Sequence, residues 1–211
     1  MKITVVCAAG RQGALLVKEA ALRGHEVTAV ARKGDRVPAE AKAVIEKDLF
    51  DLTWDDLKDS DVVIDAFGTW AENTLSQHST SLKRLCDILS GTEIRLLVVG
   101  GAGSLYTNPE HTAVLSDSTS FPSAFLPLAK AQGKALEELR RRNDVRWTFL
   151  SPAADFQAEG KRTGKYLLGG EEMICNTKGE SAISYADYAV AMLDEAENAA
   201  HVQQRFSVVA E

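Results

Sequence analysis

The chain has 211 residues, 45% of them hydrophobic and 26% charged. That length and balance suffice for one self-supporting domain, and they exclude a disordered segment or a mini-protein held by staples. Lys and Arg number 24 against 30 Asp and Glu, a net charge of −6, which argues against a general binder of nucleic acid or of an anionic membrane.

Short apolar runs alternate with longer amphipathic ones. Ile3–Val6 reads as a strand buried on both faces, and Gly10–Arg23 as a helix stopped by Gly24. Val27–Val30 and Ala43–Ile45 follow as strands. Val62–Ile64 is a fourth, closed by Asp65-Ala66-Phe67-Gly68. Leu75–Leu89 reads as a helix stopped by Gly91, and Leu96–Val99 as a fifth strand ending in Gly100-Gly101. Ala124–Arg142 predicts a long helix with Pro127 near its start, where proline is tolerated. Trp147–Leu150 is a sixth strand. Tyr166–Leu168 and Met173–Cys175 suggest a hairpin, Tyr185–Glu195 a helix capped by Ser184, and Phe206–Val209 a final strand.

Strands separated by helical lengths imply right-handed parallel crossovers. We therefore expect an α/β fold with an open, doubly wound parallel sheet. It would be a single domain over residues 1–211, with residues 151–211 contributing a small substrate lobe or lid. Cys7, Cys86 and Cys175 are odd in number and widely spaced. They suggest neither disulfides nor a metal site, and point to a reducing cytoplasm. No histidine pair with an acid has metal-ligand spacing, so no metal is expected. Arg140-Arg141-Arg142 is the one basic cluster and reads as a solvated helix end. No uncharged stretch has the length of a membrane span.

Ligands of such sheets sit beyond the carboxyl ends of the strands. Strand, Cys7-Ala8-Ala9-Gly10-Arg11-Gln12-Gly13, then helix is the context of a dinucleotide cradle. Gly10 would let the backbone approach a diphosphate, Gly13 would let the helix pack close, and the helix N-terminus around Arg11 and Gln12 would supply N–H groups. The tight-turn position of the G-x-x-G-x-x-G spacing falls on Cys7, which would have to be extended or alter the turn. Its thiol reads as a small buried filler, with a nucleophile beside the helix N-terminus as the alternative.

Where an acid would bind a ribose 2′-hydroxyl, the chain has Arg32-Lys33. A guanidinium suits a 2′-phosphate, so NADPH is expected over NADH. Solvated surface charge is the competing explanation for Arg32 and Arg11. Asp48 would lie near the adenine amine, or be one more charge in an acidic stretch. Ala66, Phe67 and Gly68 would let the nicotinamide ribose pass, with Gly100 at the next strand end.

These residues, with Gly24–Val30, Leu97–Leu105, Trp147–Ala153, Gly164–Tyr166 and Ile183–Ala189, resemble the atypical short-chain dehydrogenases with NAD(P)-binding Rossmann domains. The resemblance is to the NmrA-like members known as NADH-flavin reductases. It implies a reduced nicotinamide cofactor and a small acceptor such as a flavin or quinone. It also exposes departures. The proton-relaying Tyr-x-x-x-Lys pair is absent, since Tyr106, Tyr166, Tyr185 and Tyr188 are followed four places on by Glu110, Gly170, Ala189 and Met192. The histidine that flavin-reducing members place after the sixth strand is replaced by Ser151-Pro152-Ala153-Ala154.

Hydride transfer to a flavin or quinone needs stacking and orientation more than a dedicated acid. Ser104 and Tyr106 are the candidate hydrogen-bond donors to the acceptor, and Trp70 and Phe156 its candidate aromatic walls. Ser104 is equally explicable as a turn residue, and the two aromatics as core. Two other classes stay open: a redox sensor that binds the dinucleotide without turnover, and an epimerase or dehydratase.

Overall fold

A computed structural model describes residues 1–211. Ten strands and five α-helices form a three-layer α/β sandwich. The strands are β1 (Lys2–Val6), β2 (Glu26–Ala31), β3 (Ala43–Glu46), β4 (Val62–Asp65), β5 (Arg95–Val99), β6 (Arg146–Ser151), β7 (Asp155–Gln157), β8 (Tyr166–Gly169), β9 (Ala182–Ser184) and β10 (Gln204–Ala210). The helices are α1 (Arg11–Leu22), α2 (Trp54–Leu57), α3 (Gln77–Leu89), α4 (Leu126–Leu139) and α5 (Tyr185–Asn198).

The main sheet runs β3-β2-β1-β4-β5-β6-β10-β8. Its first seven strands are parallel, and β8 closes the edge antiparallel to β10. The order 3-2-1-4-5-6 is the doubly wound one, with its switch point between β1 and β4. Alternation along the strands sends Ile3, Val5, Val62 and Ile64 to one face with residues of α1 and α5, and Val63, Leu96 and Val98 to the other with α3 and α4. Central strands buried on both faces explain why they read as unbroken apolar runs.

The structure adds α2, β7 and β9, which the sequence reading did not contain, and differs from it elsewhere. Residues 173–175 form no strand, and β8 pairs with β10 instead, Val209 opposite Leu167. No helix joins β2 to β3, only a 3₁₀ turn at Gly34–Arg36. The long helix starts at Leu126 after a separate 3₁₀ turn at Ser123–Phe125, where Pro122 precedes the turn. Of the two alternatives for Cys7, the altered turn is the one formed, with a left-handed backbone at φ 61°.

α5 is capped as expected: the Ser184 side chain accepts the Asp187 N–H at 2.9 Å. It packs beside α1, and Arg23 joins the two by donating to Asp194 at 2.7 Å and Glu197 at 3.0 Å. β7 and β9 form a separate two-stranded sheet. No helix is long and apolar enough to cross a membrane.

Candidate functional site

The carboxyl ends of β1, β2 and β4 open into one cleft of about 810 Å³, within the range of small-molecule and cofactor sites. Its floor is Val6, Cys7 and Gly10. One end is Arg32, Lys33, Arg36, Asp48 and Phe50, and the other Ala66, Phe67, Gly68 and Thr69.

The floor is shaped by the turn between β1 and α1. Gly10 is the N-cap of α1, with no side-chain cap and no acid in the first helical turn. The first N–H groups of a helix have no partner inside it, so this end is free to receive an anion. A Cβ on Gly13 would sit 2.4 Å from the Cys7 carbonyl oxygen and 2.9 Å from the Ala8 Cα. Only glycine lets the helix approach the strand so closely. Cys7 stands in the tight-turn slot by taking the left-handed backbone that glycine would take freely. Burial, with Asp65 and Asp48 nearby, pushes its thiol pKa up to about 12, so it is a neutral filler and not a nucleophile.

The basic end is held by its neighbour strand. Glu46 accepts the Gly34 N–H at 2.9 Å, which pins the turn carrying Arg36. Lys47 is neutralised by Asp56 at 2.7 Å. Arg32, Lys33 and Arg36 are exposed and make no ion pair within the chain. Asp48 caps the following 3₁₀ turn by accepting the Phe50 N–H at 3.0 Å, and the half-exposed Phe50 ring lies beside it on the cleft. Arg36 and Phe50 were missed in the sequence. The spacing Arg32-Lys33-x-x-Arg36 was a legible signal for the first, whereas nothing marked Phe50.

The remaining candidates lie elsewhere. Gln12 is buried against α5, donating to the Tyr185 carbonyl at 3.2 Å while its Oε1 has no partner. Gly100 presses on β6, where a Cβ would meet the Phe149 ring at 2.2 Å. Ser104 and Tyr106 do not line the large cleft. The Ser104 carbonyl accepts from Arg205 at 3.3 Å. Tyr106 stacks on His111 with ring centres 4.2 Å apart and an interplanar angle of 4°. Trp70 is 67% exposed, directly after cleft-lining Thr69, and meets Phe125 edge-on at 5.8 Å. Phe156 is half-buried between Tyr185 at 4.0 Å and Tyr188 at 4.9 Å, away from the cleft.

Three of the histidines are tied into the fold. His25 meets Glu197 at 2.8 Å, and His201 meets Glu195 at 2.8 Å. His78 is buried and bonds the Thr69 carbonyl at 3.1 Å. The arginine cluster is paired too, Arg140 to Glu171 and Arg142 to both Asp87 and Asp144.

A cradle at a helix N-terminus, opening on a cleft over the switch point, is what a dinucleotide requires. Residues 7–198 match the model of the family described as NAD(P)H-binding. The chain belongs to this family. It is 47% identical to the protein YwnB of Bacillus subtilis (strain 168), over all of this chain and 99% of that one. Among solved structures, a Streptococcus pneumoniae TIGR4 protein titled as a candidate NADH-flavin reductase is 48% identical over the full length of both chains, with a TM-score of 0.96. A Bacteroides thetaiotaomicron protein titled as a candidate epimerase is 38% identical over 99% of this chain and 96% of that one, at 0.87. The doubly wound fold and the likeness to NADH-flavin-reductase-like dehydrogenases are thus borne out, and the large cleft of this member of the NAD(P)H-binding family lies at the strand ends.

Proposed function

We propose that the protein is an NADPH-dependent oxidoreductase that passes a hydride to a small planar acceptor of the flavin or quinone class. The observation that carries the cofactor choice is the trio Arg32, Lys33 and Arg36, three cations without carboxylate partners at one end of the cleft. Two arginines four residues apart can clasp a 2′-phosphate, and no acid stands where an NAD-binding fold receives the 2′-hydroxyl. Gly10 and the first N–H groups of α1 receive the diphosphate beside the exposed Arg11, while Gln12 and Gly13 are buried behind the turn. Asp48 and Phe50 flank the adenine. Ala66, Phe67 and Gly68 face the nicotinamide ribose, with Gly100 behind it. The nicotinamide supplies the hydride; the chain's part is to orient it and exclude water. Ser104 and Tyr106, which lie outside the cleft, are given no part in this reading. Trp70, exposed directly after cleft-lining Thr69, is assigned as the acceptor's wall, whereas Phe156 packs against Tyr185 and Tyr188.

The absence of a Tyr-x-x-x-Lys relay supports hydride transfer to an acceptor that takes its proton from solvent over epimerase or carbonyl chemistry. It leaves a non-catalytic sensor as the second reading. Calorimetry with NADPH and NADH tests the cofactor. Arg32→Ala should weaken NADPH by about ten- to a hundredfold, the worth of a charged hydrogen-bonding pair, while leaving NADH nearly unchanged. Tighter binding of NADH by the unaltered protein would refute the assignment. Anaerobic mixing of NADPH with FMN or a quinone should then give sustained cofactor oxidation, and binding without oxidation would favour the sensor.

A further inference from the structure

Asp65 ends β4 directly before the Ala66–Gly68 wall of the cleft, and it is 4% exposed. Its Oδ1 accepts the Phe67 N–H at 2.9 Å, while its other oxygen makes no hydrogen bond within the chain. Beside it lies a cavity of about 20 Å³, room for one water molecule. The cavity is lined by Phe67, His78, Val98, Gln132 and Phe149 among others. Phe67 is braced from the same side by His78, edge-on at 5.4 Å.

The groups around this carboxylate offer it no countercharge. From the β1–α1 turn comes Cys7, and from α3 come Cys86 and His78. Both thiols are held neutral by burial, with pKa values near 12, and burial lowers that of His78. α4 contributes the uncharged Gln132, while β5 and β6 contribute Val98, Val99 and Phe149. A buried carboxylate with one backbone N–H and no cation is costly when ionised. Residues held at such a cost beside a cleft are candidates for a role in it.

We infer that binding of the dinucleotide against the Ala66–Gly68 wall is coupled to proton uptake at Asp65, a positioning residue that supports this wall from behind. The inference rests on the nucleotide cleft proposed above. A neutral Asp65 keeps its hydrogen bond, since its carbonyl oxygen still accepts from Phe67, and sheds the charge that burial penalises. The arriving cofactor phosphates are anions and disfavour an ionised neighbour further. Burial already places the carboxyl pKa at about 6, so the proton is available near neutrality. By linkage, affinity rises as pH falls through this range. A rise of one unit on binding corresponds to a tenfold gain in affinity from high to low pH.

The test uses NADH, which lacks the 2′-phosphate that itself titrates near pH 6. Calorimetry at pH 6.5 in buffers of different ionisation enthalpy counts protons taken up per nucleotide bound. The unaltered protein should take up about half a proton for a one-unit rise. Asp65→Asn, which mimics the neutral acid, should take up none and bind as tightly at pH 8 as at pH 6. Zero uptake by the unaltered protein, measured without any variant, overturns the inference, as does equal uptake by Asp65→Asn. Absence of heat with both NADH and NADPH would instead remove the cleft reading, and this coupling with it.

Discussion

Cys7 shows how one side chain is tolerated where the backbone asks for none. Its φ of 61° costs a residue with a Cβ about 1–2 kcal/mol relative to glycine. The buried sulfur recovers part of that by packing against the α3 side of the sheet. Cys7→Gly therefore exchanges strain relief for lost burial and should change stability by less than about 1 kcal/mol. Cys7→Val places a β-branched residue at positive φ and should cost about 2 kcal/mol or more. Urea unfolding of both variants checks this; a stable valine variant would mean that the turn relaxes. The thiol itself was legible in the sequence as a misfit at a glycine slot. Its backbone state was not, because the choice between an extended residue and an altered turn depends on where Gly13 and α1 lie.

At the level of elements, the segment before β8 is tethered by two buried acids. Asp187, in the first turn of α5 and 1% exposed, accepts from the Thr163 N–H, the Thr163 hydroxyl and the Gly164 N–H, each at 2.7 Å. Arg162 adds a two-pronged bond to Glu19 of α1, at 2.9 Å for each prong. Asp187→Asn turns one acceptor atom into a donor that faces donors. It should cost about 2–3 kcal/mol and speed hydrogen exchange over residues 160–166. Unchanged exchange there would show that the Arg162–Glu19 pair suffices alone. This tether also explains the misread hairpin. Tyr166–Leu168 has strand character, but held beside α5 it meets the free edge of β10 and not residues 173–175, a pairing between segments some 40 residues apart that local pattern does not reveal.

For the whole molecule, Asp65 sets a pH dependence of stability opposite to that of most carboxylates. Its folded pKa of about 6 lies above the ordinary unfolded value near 4. The folded state therefore binds this proton more tightly than the unfolded one. Its contribution is most favourable below pH 4, falls as pH rises from 4 to 6, and above that costs on the order of 2–3 kcal/mol. Asp65→Asn should thus stabilise the protein at pH 8 and not at pH 4, as read from urea midpoints at the two pH values. An equal effect at both would show that the carboxyl is not desolvated. A stability cost carried at the wall of a cofactor cleft fits the usual trade between stability and function.

The central strands and longer helices, the glycine turn between β1 and α1 and the basic tract after β2 were legible in the chain, because each rests on local chemistry: apolar period, glycine at a close approach, a run of like charges. Which side chains share a cleft was decided only by the tertiary structure. Folding brought Arg36 and Phe50 to the basic end of the cleft and buried Asp65 with one backbone N–H and no cation, while Ser104, Tyr106 and Phe156 were placed away from the large cleft. The reason is physical: sheet register and helix packing set distances between residues far apart in sequence, and desolvation has no meaning until the neighbours that exclude water are in place.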